Sequence, residues 1–371
     1  MKILILIDSF GRGGAEKSTA MFILKLNELY KDINFVCVYL YPYRPGSYEE
    51  LQRNNIPLIH LKEKGLFQKV KKFRRIIKDH NPDIVHSVLY ESNLIKRLSS
   101  IGLNSIFIES LVNKPYVKER EYQTKSVEYK SKVTKFIDKR TAFLVDHFHS
   151  VGYAVAAHYK EVYGKNLKFT VVERGRPVPA DINLQETNEY ENFLTLVTTA
   201  RQEYQKGLIY LLEALITFKN KVRLKIIGRE GSSTPQLKIF VKQNQLENSV
   251  KFYGFIENVV EVVSKADVYV SASLYEGLPG SVIEAMSVKK PLILSDIEEH
   301  REVANENENA LFFKSKDIEG IRSNINQILE NKIDLTSFGN KSFEIFNERF
   351  TEDAMVKGMA QFYYNVLKTK N

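Results

Sequence analysis

Cysteine is nearly absent. Cys37 is the only one, so no internal disulfide can form, and its seat in an apolar run reads as a buried thiol of a cytoplasmic chain. Tryptophan is missing, and glycine and proline are sparse at 18 and 10 among 371 residues, which excludes collagen-like and proline-rich classes. No segment is of low complexity and no short repeat recurs, so a solenoid is not expected. No apolar run approaches the roughly 18 residues that a membrane span requires. Met1 to Ile7 hold one lysine and run straight into the turn Asp8-Ser9-Phe10-Gly11, the pattern of a first strand and not of a signal peptide. The sequence also contains no Asp-x-Asp triplet. His147 and His149 alternate with no Cys or His cluster to complete a site, so neither a metal nor another cofactor is expected.

What is present suffices for two cores. The length exceeds one ordinary domain and 43% of the residues are hydrophobic. Apolar runs alternate with helical patterns in both halves, the signature of parallel sheets covered on both faces. The net charge of +9 is lopsided: residues 1–170 carry 29 Lys and Arg against 17 Asp and Glu, while residues 171–371 carry 25 against 28. Such asymmetry points the first half at an anionic surface or ligand. Much of the excess lies in residues 62–78 and 114–140. In the former, Leu66, Val70, Phe73 and Ile77 make one helical face, with Lys69, Lys71, Lys72, Arg74, Arg75 and Lys78 around it. That pattern suits a helix lying on an anionic membrane and equally an ordinary amphipathic helix of an α/β domain.

The stretch Ser271 to Met286 concentrates the chemistry. It follows an apolar run, Ala266 to Val270, that reads as a buried strand. Gly277, Leu278, Pro279 and Gly280 then force a turn into a helix whose apolar face is Val282, Ile283, Ala285 and Met286. Glu276 therefore sits on a strand-to-helix loop and Glu284 about two turns further on, both able to face a crevice at the strand's carboxyl end. The plainer alternative is a capped helix with two solvated acids. In the first half, Ile3 to Ile7 lead into Gly11-Arg12-Gly13-Gly14-Ala15-Glu16 and an amphipathic helix. Gly13 and Gly14 serve either as a tight turn or as a backbone approach for an anion at a helix N-terminus. A dinucleotide fold would want an acid closing the second strand, but Asn34 to Leu40 ends in Tyr41-Pro42-Tyr43. In the second half, Phe193 to Arg201 is a strand followed by Lys206-Gly207, which puts two cations over one loop where they can neutralise a diphosphate.

The Glu276 to Met286 pattern resembles the signature of family-4 retaining glycosyltransferases of the GT-B fold: Glu-Gly, a short turn, then Glu-Ala-Met, with seven residues between the glutamates. The resemblance covers nearly the whole chain, with specific motifs in the second half and looser ones in the first. It implies two Rossmann-like α/β domains facing across a cleft. Residues 1–178 would form the acceptor side, 179–350 the nucleotide-sugar donor side, with 180–192 as linker and 351–371 a last helix returning to the first domain. It also implies roles: Glu276 near the transferred sugar, Glu284 on the donor's ribose, and Arg201, Lys206, Gly13 and Gly14 on its diphosphate. The loop at Gly228 and Arg229 and the turn from Gly277 to Gly280 would surround the nucleotide and sugar.

His86, in Pro82-Asp83-Ile84-Val85-His86, matches a frequent family pattern and is a candidate catalytic residue or simply a satisfied histidine at a strand end. Two departures stand out. The histidine that many members place after the next strand is absent after Ser105 to Ile108, leaving Glu109 or Ser110 in its place. The family's Asn-Gly-Val at the domain crossing is Arg174-Gly175-Arg176 here. Residues 141–145 read as a further strand.

The implied reaction is sugar transfer from a UDP- or GDP-sugar to an acceptor hydroxyl, without metal and with retention by same-face attack helped by the donor phosphate. By resemblance the acceptor is an envelope polysaccharide or lipid-linked oligosaccharide, and the basic first half places the protein peripherally on the inner face of the cell membrane. An epimerase of nucleotide sugars would share fold and donor site but need no acceptor. A nucleic-acid-binding protein would explain the basic half, but no binding motif is visible and the acidic second half would have no purpose, so no nucleic acid is expected as partner.

Overall fold

The computed structural model of the chain describes residues 1–11, 13–41, 46–122, 124–179 and 192–369, and the linker expected at 180–192 lies, apart from residue 192, outside them. In chain order the elements are β1 (Lys2–Ile7), α1 (Gly14–Leu29), β2 (Asn34–Tyr39), α2 (Tyr48–Arg53), β3 (Leu58–His60), α3 (Leu66–His80), β4 (Ile84–Val88), α4 (Tyr90–Ser100), β5 (Ile106–Leu111), α5 (Lys125–Thr141), β6 (His147–Ser150), α6 (Tyr153–Tyr163) and β7 (Phe169–Val171). There follow β8 (Leu194–Thr199), α7 (Leu208–Leu215), β9 (Val222–Ile227), α8 (Thr234–Gln243), β10 (Val250–Gly254), α9 (Val259–Ser264), β11 (Val268–Ser271), α10 (Gly280–Met286), β12 (Leu292–Ser295), α11 (Glu298–Val303), β13 (Ala310–Phe313), α12 (Ile318–Leu329), α13 (Leu335–Arg349) and α14 (Glu352–Lys368).

The chain divides into two compact units: Met1–Tyr116 with Tyr122–Gly175 and Glu352–Asn371, and Val117–Glu121 with Arg176–Thr351. The first unit holds a seven-stranded parallel sheet in the order β3-β2-β1-β4-β5-β6-β7, the second a six-stranded parallel sheet in the order β10-β9-β8-β11-β12-β13. Helices cover both faces of such sheets, so the central strands are buried along nearly their whole length and their burial does not alternate. Ile3 to Ile7 are buried without exception, as are Val268 to Ser271 and Leu292 to Ser295. In the first unit α14 closes the sheet beside α1, with Met355, Val356, Met359, Phe362 and Tyr363 inside the same core as Ile3, Ile5 and Phe22.

In each sheet the strand order reverses once among central strands, between β1 and β4 and between β8 and β11. Loops leaving the carboxyl ends of two such strands diverge to opposite faces and leave a crevice.

Two local expectations are corrected. Residues 141–145 form no strand: α5 runs to Thr141 and a 3-10 turn follows over Ala142–Leu144. The helix persists because Thr141 Oγ1 donates back to Ile137 O at 2.9 Å and Arg97 Nη1 donates to Asp138 O at 2.9 Å. Glu109 and Ser110 do not follow β5 but lie inside it.

Candidate active site

The crevice of the second unit assembles residues some 70 positions apart in sequence. β8 and β11 are hydrogen-bonded neighbours, so the loop carrying Arg201 to Lys206 lies beside the loop carrying Ser273 to Gly280. Backbone and side chain stitch the two together: Leu274 N–H donates to Gln205 O at 2.8 Å, and Gln205 Nε2 donates to Tyr275 O at 2.7 Å. Gly207 makes this closeness possible. Its φ is +58°, and a Cβ there would sit 2.0 Å from the Ala272 carbonyl oxygen.

Within the stitched loops, Lys206 Nζ donates to Glu276 Oε1. The same oxygen accepts from Ser273 Oγ at 2.7 Å, and Glu276 N–H donates to Glu299 Oε1 at 3.2 Å. Burial alone would raise the Glu276 carboxyl, but the Lys206 ammonium and the hydrogen bonds from Lys206 and Ser273 together hold it below the usual range. Glu276 is thus an ionised carboxylate held to one rotamer. His300 is fully buried behind it, its Nδ1–H donating to Ser295 O at 2.8 Å and its Nε2 accepting from Ser271 Oγ at 3.2 Å. Arg201 is exposed at the end of β8, and its guanidinium has no partner among the described residues.

The remaining residues singled out in this unit lie on the same carboxyl-end side of the sheet. Gly228 follows β9 and its N–H donates to Gly254 O at 2.7 Å, while the Arg229 guanidinium lies over the Phe255 ring at 5.0 Å. Pro279 is the residue before α10, with its carbonyl accepting from Val282 and Ile283 N–H, and Leu278 is buried beneath it. Glu284 stands on α10 and pairs with Arg176, whose Nε lies 2.7 Å from Glu284 Oε1.

Arg176 is the residue that the sequence reading missed as a site member. Its backbone N–H donates to Phe350 O at 2.8 Å, and its guanidinium lies against Gly280, where a Cβ would come within 2.0 Å of Nη2. The departure from Asn-Gly-Val was the signal available, but nothing in it said which arginine faces Glu284. Glu299 and His300 carried no sequence signal.

In the first unit the Gly13-Gly14 loop is met by its own helix. Glu16 Oε2 accepts from Gly13 N–H at 2.7 Å and Ser9 Oγ donates to Glu16 Oε1. In this structure the Glu16 carboxylate thus accepts from the Gly13 amide that the expected diphosphate contact would use. Gly14 keeps open space beside it: a Cβ there would meet nothing nearer than Arg174 Nη1 at 3.9 Å.

The expectation for His86 is corrected. It is fully buried, and its ring is spent in a one-way chain of hydrogen bonds. The Val172 carbonyl can only accept, so His149 Nε2–H donates to it at 3.1 Å, and His149 Nδ1 accepts from Ser110 Oγ at 2.7 Å. Ser110 Oγ then accepts from His86 Nε2–H at 2.7 Å, and His86 Nδ1 accepts from Tyr363 Oη at 2.7 Å. Both rings are neutral: burial pushes His86 well below its usual pKa and His149 down to about 4. Ser110 and His149 line a small cavity with Thr19, Glu173 and Arg174, whereas Glu109 is fully buried between Lys96 and Arg97 and reaches no such surface. Among the described residues no group of three His, Cys, Asp or Glu side chains is placed to hold a metal ion.

Known proteins share both the sequence of the second unit and the fold of the chain. The family model described as "Glycosyl transferases group 1" matches residues 180–344. EpsD of Bacillus subtilis, named as a glycosyltransferase, is 30% identical over 198 residues, 52% of this chain and 51% of that protein. The chain thus spans about half the length of that relative over the match. CapH of Staphylococcus aureus, a capsular polysaccharide biosynthesis glycosyltransferase, is 24% identical over 314 residues, 82% of this chain and 83% of that one. Among solved structures, Anabaena HepE in complex with UDP and glucose superposes with a TM-score of 0.82 at 16% identity, covering 98% of this chain and 99% of HepE, and at that identity it speaks for the fold alone. The chain thus has a GT-B architecture of two Rossmann-like α/β domains, and its second unit, which holds Lys206, Glu276 and Glu284, matches the group 1 glycosyltransferase family.

Proposed function

We propose that the protein is a retaining glycosyltransferase that moves a sugar from a nucleotide-sugar donor to an acceptor hydroxyl in the synthesis of an envelope polysaccharide or lipid-linked oligosaccharide. The observation that carries this reading is the Lys206–Glu276 pair at the reversal of strand order between β8 and β11. Arg201 and Lys206 supply two cations where the leaving diphosphate gains charge, so the reading needs no metal. Glu276, ionised and fixed, stands where positive charge develops on the transferred sugar. Arg176 holds one oxygen of Glu284 and leaves the other for a ribose hydroxyl. UDP in HepE and capsular polysaccharide in the name of CapH support the donor and acceptor classes.

The test is a thermal-shift screen of nucleotide sugars followed by a transfer assay. A donor present at about 100 times its Kd adds about 2.7 kcal/mol of stability. Transfer then proceeds unchanged in EDTA, requires acceptor, and is lost in Glu276→Gln while the donor-induced shift remains. A Glu276→Gln variant with wild-type turnover sinks the assignment. Release of free epimer without acceptor replaces it with an epimerase, and loss in EDTA rescued by Mn²⁺ removes the metal-free mechanism.

A further inference from the structure

The basic first half contains two cation-rich helices, and the structure uses them in opposite ways. In α3 the apolar residues Phe73, Ile76 and Ile77 are buried in the domain core, and Arg74 Nη1 donates to the carbonyl of Ser99 at 2.9 Å. Its cations Lys71, Lys72 and Arg75 remain exposed, and its apolar face is spent from Phe73 onward, which leaves Leu66 and Phe67 of its first turn exposed.

In α5 the arrangement is inverted. Thr124 caps the helix, its hydroxyl accepting from Val127 N–H at 3.3 Å. The only buried residue on it is Asp138, an acid. Asp138 Oδ1 accepts from Arg97 Nη1 at 2.7 Å, and Oδ2 accepts from Tyr116 Oη and Tyr163 Oη, each at 2.7 Å. Arg97 is paired in turn with Glu109 of β5. A polar anchor therefore holds this helix where an apolar face ordinarily would.

The apolar residues of α5 face outward. Tyr129, Val133 and Phe136 follow one another at the spacing of a helical stripe, and Tyr129 and Phe136 are 68% and 60% exposed. Phe143, just beyond the helix, is 74% exposed. Lys125, Lys132 and Lys139 recur every seven residues along one border of the stripe, Lys130 stands on the other, and the Arg140 guanidinium lies over the Phe136 ring at 5.2 Å, all of them exposed. Glu128, bridged to Lys132, is the one acid of the helix besides Asp138.

We propose that this outward face of α5 docks on an anionic lipid bilayer. An aromatic ridge flanked by cations matches an apolar boundary beneath negative headgroups, an attraction that weakens as salt screens it. A second copy of the chain is disfavoured, because face-to-face contact would set two lysine rows against one another. The purpose of docking, bringing the enzyme to a lipid-linked acceptor, rests on the glycosyltransferase reading; the chemistry of the face rests on α5 alone.

The test uses the full chain and vesicles of phosphatidylglycerol or of phosphatidylcholine. Because the chain has no tryptophan, Phe136→Trp makes a single reporter. Its emission shifts to the blue with phosphatidylglycerol vesicles at low salt and returns as salt rises. Wild-type protein sediments with those vesicles. Tyr129→Ser with Phe136→Ser, or Lys132→Glu with Lys139→Glu, lowers the bound fraction at least tenfold with the unfolding midpoint and the UDP-induced thermal shift unchanged. Lys71→Glu with Lys72→Glu lowers it far less. Three outcomes overturn the proposal: no blue shift, equal binding to neutral vesicles, or a concentration-dependent dimer abolished by the Tyr129 and Phe136 substitutions. UDP binding reads the donor site separately, so a failure of the glycosyltransferase reading appears there and leaves the vesicle result standing or falling by itself.

Discussion

Acidification tests the least visible part of the candidate site, the buried histidine near Glu276. Burial holds the His300 pKa down to about 4, from an ordinary 6.5, against the pull of the Glu276 carboxylate and with the help of the Lys206 ammonium. The unfolded chain therefore binds a proton on this ring well before the folded chain does. The contribution of a neutral His300 is complete above pH 6.5, declines as pH falls through the window from 6.5 to about 4, and changes no further below it. Each pH unit inside the window costs about 1.4 kcal/mol, so near pH 5 the folded unit has lost about 2 kcal/mol through this ring. With a urea m-value of about 2 kcal/mol/M, that is a fall of about 1 M in midpoint.

Other groups titrate in the same range, and Asp8 and Asp138, both raised by burial, act in the opposite sense. Comparison with His300→Gln isolates the ring. The variant is less stable than wild type near pH 7.5, since it loses the bonds to Ser295 and Ser271. Its deficit shrinks by about 2 kcal/mol near pH 5, because it no longer carries a proton difference between folded and unfolded states. Equilibrium urea unfolding at the two pH values, followed by a signal from the second unit, measures the gap. A deficit that stays constant with pH means that His300 titrates normally and refutes the buried, neutral assignment.

Two further outcomes follow from the same loops. Gly207→Ala forces a side chain into a left-handed backbone and against the Ala272 carbonyl; it costs at least about 2 kcal/mol by urea unfolding, and a loss under half of that means that the stitched loops adapt freely. Arg176→Ala frees Glu284 from its 2.7 Å partner and weakens the UDP-induced thermal shift about tenfold in apparent affinity, while an unchanged affinity removes Arg176 from the site.

Much of this site was legible from sequence. The strand-turn-helix reading around Glu276 and Glu284 survives because Ser271 to Met286 contains both the turn residues and the apolar helix face, all local. Lys206 with Arg201 was legible for the same reason. That Lys206 pairs with Glu276 was not, since the pairing depends on β8 lying beside β11 across some 70 residues of chain. Arg176 was hidden more deeply: its motif departs from the family pattern, and its partner is 108 residues away.

Local order in the sequence thus determined the alternation of strands and helices, the turns and the acids they present, because periodicity and turn chemistry act within a few residues. Only the tertiary structure decided the fate of equal-looking charges and histidines. His86 and His149 are neutral core groups because three strands and α14 close around them, and Glu109 is sealed by Arg97. The two basic helices look alike as sequence, yet α3 buries Phe73, Ile76 and Ile77 in the core while α5, anchored through Asp138, turns Tyr129 and Phe136 outward. Which face of a helix is buried depends on what the rest of the chain places against it, and no window of sequence contains that.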